Sequence, residues 1–164
     1  MTEWKVKDLN IEVKLGPFDD SKLGLVVKSQ RISLGLGPGG GLGGGSGPVG
    51  GFGITVQEAS DAENVQHWPS VSIKDTNRRH IIYKSTKEAL EAAEKEEVNS
   101  VGFYTLGLEV SHVPSWEVAE EITRAIAVHS NHAEHVKHII VVASSAMQVS
   151  SFQYALDNVS IITS

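Results

Sequence analysis

A chain of 164 residues and 17.6 kDa, 40% hydrophobic, has enough apolar material for one core, and a single unit over residues 1–164 is expected. Its net charge of −6 and pI near 5.6 argue against a nucleic-acid binder, which carries a clustered basic face. With no cysteine, disulfides, thiolate metal ligation and thiol catalysis are excluded. The N-terminal MTEWKVKDLN has no apolar signal core, and no stretch approaches the roughly 18 apolar residues of a membrane span. A soluble cytoplasmic or nuclear protein without membrane contact is expected.

From the N-terminus, Trp4 to Leu15 alternates loosely and predicts one or two strands. Gly16-Pro17 and Asp19-Asp20-Ser21 mark a turn. Leu23 to Lys28 is a short apolar run suited to a strand buried on both faces. Residues 35–53 then place twelve of the sixteen glycines in one tract, GLGPGGGLGGGSGPVGGFG. So few side chains suit a flexible tether, a close wrap, or a backbone cradle for an anion.

Beyond the tract, Ile54 to Gln57 and Arg79 to Tyr83 read as strands. Ser85 to Glu97 reads as a helix with Ser85 and Glu88 at capping-box spacing. Its acidic face, Glu88 to Glu97, reads as a solvated surface. Val98 to Thr105 returns to strand character, and Ser115, after Pro114, starts a helix with Val118, Ile122, Ala125 and Ile126 on one face. Lys137 to Ala143 is the clearest strand. Val149 to Asp157 reads as a helix with Phe152, Ala155 and Leu156 inward, and Val159 to Thr163 as a last strand. Strands alternating with helices predict an α/β fold with a mixed, mainly parallel sheet covered on both faces. Ligands then sit beyond the carboxyl ends of the strands, where residues 29–53 and Leu106–Pro114 leave them.

This order of elements resembles a macro domain, the ADP-ribose-binding three-layer α/β/α sandwich, over nearly the whole chain. The resemblance is carried by VNSVGFYTLGLEVSHVPSWEVAEEITRAI (Val98–Ile126), by HIIVVASSAMQVSSFQYAL near the end, and by LGPFDDSKLGLVV near the start. It implies a module that binds ADP-ribose, a related nucleotide diphosphate or an ADP-ribosylated protein, with no cofactor. The implied ligand-binding residues are Gly39, Gly40, Gly41 and Leu42 in the first phosphate loop and Gly107, Leu108, Glu109, Val110, Ser111 and His112 in the second. The chain departs from the family pattern at several points. Gly16-Pro17 stands where the family has Gly-Asp, with Asp19 or Asp20 as the nearest acid. Lys28-Ser29-Gln30-Arg31 occupies the place of the asparagine segment of hydrolytic members.

In the second loop, Glu109 and His112 replace two glycines of Gly-x-Gly-x-x-Gly-x-Pro. A glutamate about 4 Å from a phosphate costs on the order of 1–4 kcal/mol. Two other readings follow: a macro-like protein–protein interaction domain that has lost the ligand, and an ADP-ribosyl hydrolase or ADP-ribose phosphatase. Ser111, His112 and Glu109 can be drawn as a Ser–His–acid set, but their spacing alone does not establish catalytic geometry, and no catalytic residue is assigned. His129, His132, His135 and His138 recur every three residues. Steps of about 300° on a helix send the first and last to opposite sides, so they read as a polar helix end with no metal. Trp116 reads as core or helix-start packing, Tyr104 as core, and Trp68 as a residue able to stack on a base.

Overall fold

The computed structural model describes residues 3–29, 32–33, 55–56 and 64–163. Strands β1 (Glu3–Val6), β2 (Leu9–Leu15), β3 (Leu25–Lys28), β6 (Val65–His67), β7 (Ser100–Tyr104) and β8 (His138–Ala143) form a sheet in the order β1-β2-β8-β7-β3-β6. Only β1 is antiparallel to its neighbour. The backbones of β4 (Ile32–Ser33) and β5 (Thr55–Val56) pair separately, Ile32 with Val56 and Ser33 with Thr55. The strand expected at Ile54 to Gln57 therefore forms at its centre but stays outside the main sheet. The glycine tract, with Gly39, Gly40, Gly41 and Leu42, lies outside the described residues.

Alternation along the strands builds two clusters. Leu9, Ile11, Val13, Leu25, Val27, Val101, Phe103, Ile139 and Val141 face α1 (Arg78–Lys95), α3 (Ser115–His129) and α4 (Ala146–Asp157). Val26, Ile140 and Val142 point the other way and pack with Leu23, Phe18, Val65 and Tyr104. Gly102 permits this second packing: a Cβ there would lie 2.6 Å from Leu23 Cδ1. The expected α/β class and mixed, mainly parallel sheet are the observed ones.

Three expected segments take a different form. Arg79 to Tyr83 belongs to the first turns of the 18-residue helix α1, not to a strand. A short apolar run does not distinguish the two by period alone. Here Arg78 pairs with Glu117 and Arg79 with Glu120 and Glu121, fixing the segment along α3. Ser85 consequently sits inside α1 and caps nothing at its start. Val159 to Thr163 forms a helical turn, α5 (Val159–Ile162), in place of a last strand. Asn158 N–H bonds back to Tyr154 and Ala155 carbonyls, and Ile162 O accepts from Arg124 on α3, so the segment docks on a helix. Leu106 to Pro114, expected as a loop, contains the helical turn α2 (Leu106–Val110).

The helix at Ser115 matches expectation, with Val118, Ile122, Ala125 and Ile126 buried. The same period turns Trp116 outward, about 200° from Val118. It is 59% exposed and is not a core residue. Among the described residues, no helix is long and apolar enough to cross a membrane.

Candidate functional site

The parallel strands end together at Leu15, Ala143, Tyr104, Lys28 and His67. Two polar clusters form beyond these ends. The first joins the turn after β2 to β3 and β7. Lys28 Nζ lies 3.0 Å from Asp20 and 4.8 Å from the Tyr104 ring centroid, within cation–π range. Tyr104 Oη donates to Asp20 at 2.8 Å. Partial burial opposes ionisation of Asp20, but the Lys28 and Tyr104 hydrogen bonds and the Lys28 charge outweigh it and hold its pKa below the ordinary value. Asp19 instead accepts from the Ser21 backbone. Of the two acids near the turn, Asp20 is thus the one directed toward the strand ends.

Trp68 does not offer its ring to a ligand. It is 5% exposed, donates through Nε1 to the Tyr104 carbonyl at 2.7 Å, and packs against Phe103. Tyr104, expected in the core, is half-buried, with its hydroxyl in the Asp20 cluster.

The second cluster joins the β7–α3 connection to the β8–α4 turn. Adjacency of β7 and β8 brings these turns side by side. Glu109 Oε1 accepts from Ser144 Oγ, and Oε2 accepts from Ser145 Oγ at 2.7 Å. Ser145 is the N-cap of α4 and accepts from the Gln148 N–H. Gln148, fully buried, takes the Ser144 N–H at 3.1 Å and the Thr105 hydroxyl on its Oε1. The carboxylate that the sequence suggested as an obstacle to phosphate is thus held by two hydroxyls of the neighbouring turn.

In and beside the segment Gly107–His112, several backbone donors already have partners. The N–H groups of Glu109, Ser111, His112 and Val113 bond to the carbonyls of Thr105, Gly107, Glu109 and Leu108 at 2.9–3.2 Å. Leu108 is buried in the core, and the Ser111 carbonyl accepts from Ile73 N–H. The two substituted glycine positions behave differently. Glu109 has joined a helical turn, which any L-residue tolerates, whereas His112 has φ 67°, the left-handed region that favours glycine. Half-buried Ser111 and exposed His112 stand beside a Glu109 whose oxygens accept from Ser144 and Ser145, so the drawn Ser–His–acid set is not assembled.

The histidine repeat also disperses. His129 ends α3, is 1% exposed and contacts Glu94 through Nε2 at 2.7 Å. His132 packs edge-on against it, 5.0 Å between ring centroids. His138 begins β8. Among the described residues, no group of three or more His, Cys, Asp or Glu is placed to hold a metal ion. Glu94 leaves the solvated acidic face to accept from the Glu134 and His135 backbones as well.

Ser144, Ser145 and Gln148 escaped the sequence reading, although Ser145-Ala146-Met147-Gln148 has the Ser-x-x-Gln spacing of a capping box. That signal places the start of α4 at Ala146, ahead of the expected Val149.

No protein-family model matches the sequence, and no curated protein matches it. Solved structures do. The Oceanobacillus iheyensis macrodomain with ADP is 16% identical, with a TM-score of 0.70, 98% of this chain and 96% of that one being covered. A point mutant of the same protein with ADPR is 16% identical and gives 0.68, covering 98% of each chain. The macro domain of ganglioside induced differentiation associated protein 2, also 16% identical, gives 0.59 over 92% of this chain and 84% of that one. The chain has a divergent form of the macro-domain fold.

Proposed function

We propose that this protein is a binding module for ADP-ribose or a related nucleotide diphosphate, received beyond the carboxyl ends of β3, β7 and β8. The observation that carries the reading is the TM-score of 0.70 over 98% of the chain to a macrodomain solved with ADP. The crevice at the strand ends is where an α/β sheet of this kind receives ligands. Gly39 to Leu42 and Gly107 to His112 are assigned to the phosphates. The Asp20–Lys28–Tyr104 cluster is assigned to the base or ribose: it offers a carboxylate acceptor and a tyrosine ring beside one wall. The reading requires no catalytic residue.

Calorimetry and thermal shift with ADP-ribose test it. Binding raises the melting temperature as ligand exceeds Kd. Neither heat nor stabilisation at about 1 mM, a hundredfold above a Kd of about 10 μM, where a shift of about 2.7 kcal/mol is due, rejects such affinity. The second reading, a protein-contact domain without a nucleotide, is favoured by one observation. The amides of residues 109 and 111–113 already have carbonyl partners. A domain that gives no response to ADP-ribose but retains its fold by circular dichroism supports this alternative.

A further inference from the structure

We propose that Glu109 is an internal latch that keeps the turn after β7 closed, and that a diphosphate enters only when the latch opens. The proposal rests on the nucleotide-binding reading above. It starts from two facts that share one residue. Through its side chain, Glu109 ties the β7–α3 connection to the β8–α4 turn, via Ser144 and Ser145. Through its backbone, it belongs to the helical turn whose amides at 109, 111, 112 and 113 all point at carbonyls of the same segment.

An anion cradle needs several N–H groups free and converging on one point. In the latched state four donors of this segment are engaged. The Ser145 hydroxyl is likewise occupied by a carboxylate, an anion supplied by the chain itself, and the Ser144 hydroxyl is shared between that carboxylate and Gln148 Oε1 at 2.9 Å. Hydrogen bonds to a charged acceptor are among the stronger neutral-donor contacts, and both Glu109 oxygens are matched. The base of the latch is rigid: Ser145 is the N-cap of a 12-residue helix, and Gln148, beneath it, is fully buried and tied to Thr105. The shorter partner is the five-residue turn α2, so opening moves its Glu109 side about the buried Leu108 while α4 stays in place.

The latch and simple repulsion make different predictions. If Glu109 only repels phosphate, removing its charge helps and removing its hydroxyl partners does not. If Glu109 holds the turn closed, removing the hydroxyls helps too, although the charge remains. A binding-competent state that is rarely populated weakens apparent affinity in proportion to its rarity, and unlatching restores it.

The experiment uses the full chain as wild type, Glu109→Ala and the double variant Ser144→Ala/Ser145→Ala. ADP-ribose is titrated by calorimetry, and amide hydrogen exchange is followed at residues 109–113. The expected result is affinity raised about tenfold or more in both variants, with faster exchange at those amides. Glu109→Gln gives a further check, since an amide keeps only part of the pairing and should fall between wild type and Glu109→Ala. Tighter binding by Glu109→Ala alone, with the double variant unchanged in affinity and exchange, overturns the latch and leaves repulsion. Binding by the wild type that none of the variants alters overturns the latch and keeps the nucleotide reading. No binding by any of the folded proteins overturns both.

Discussion

Two glutamates, at opposite ends of the sheet, each hold a loop against a helix, and they do it with different donors. Glu94 on α1 accepts from the backbones of Glu134 and His135 and contacts the buried His129 ring. Glu109 in α2 accepts from two side-chain hydroxyls, Ser144 and Ser145. The first set lies beside the amino end of β8 and the second beyond its carboxyl end. Backbone donors cannot leave without moving the chain, whereas a hydroxyl rotates. The Glu94 contacts therefore suit a permanent corner of the fold, and the Glu109 contacts suit an exchangeable one beyond the carboxyl ends of the strands.

The largest expected effect tests this difference in stability. Glu94→Ala should lower unfolding free energy by about 2–3 kcal/mol, since buried His129 Nε2 loses its acceptor and His129 Nδ1 already lacks a hydrogen-bond partner among the described residues. Glu109→Ala should cost less, about 1.5 kcal/mol, the equivalent of the tenfold change in affinity, because freed hydroxyls can turn to water. Urea denaturation of both variants measures this, and equal losses would break the comparison.

The next effect is pH dependence. Burial opposes ionisation of Glu94, but hydrogen bonds from His135, His129 and Glu134 prevail and lower its pKa from 4.5. A lowered folded pKa stabilises the protein above the unfolded value, and that contribution is lost as pH falls through the folded value. Wild-type stability should thus decline below about pH 5 with a slope that Glu94→Ala reduces. Parallel denaturation curves for the two proteins between pH 6 and 3, about the range over which an ordinary carboxylate titrates, would show that Glu94 contributes nothing to it.

Smaller effects follow in the turn after β7 and at the start of α3. His112→Gly should raise stability by about 0.5–1 kcal/mol: it relieves a left-handed backbone costing roughly 1–2 kcal/mol, less the extra freedom glycine gains when unfolded. A lower melting temperature for His112→Gly would mean that the imidazole itself stabilises the turn. Smallest of all, Trp116→Ala should change stability by no more than about 0.5 kcal/mol, because the ring is outward. A loss of several kcal/mol would return Trp116 to the core.

Much of the frame was legible from local pattern. Leu25 to Lys28, Ser100 to Tyr104 and His138 to Ala143 are short apolar runs, and Val118, Ile122, Ala125 and Ile126 repeat at helical spacing. Such patterns report which faces must leave water, and that requirement holds whatever surrounds them. Arg79 to Tyr83 was misread because RHIIY satisfies either period over so few residues. Glu117, Glu120 and Glu121, some forty positions later, decide for helix by pairing with Arg78 and Arg79. The core half of the Trp116 reading failed because it rested on residue type, although the helical period of its own helix already turned it outward.

The candidate site was legible in part. The sequence located the connection at residues 106–114 and its two lost glycines, and position 109 was recognised as an acid at a place where a phosphate is expected. Which way that acid points depends on Ser144 and Ser145, thirty-five residues away and brought near only by the pairing of β7 with β8. Likewise Asp20 stands out from Asp19 only once Lys28 and Tyr104 converge on it. By itself the sequence determined β2, β3, β7 and β8, the principal amphipathic helix and the α/β class, because burial periodicity is a local property. The tertiary structure alone decided the partners of each charge and the conformation of the turn after β7, because hydrogen bonds and ion pairs are made across the chain between groups whose spacing in sequence carries no record of their meeting.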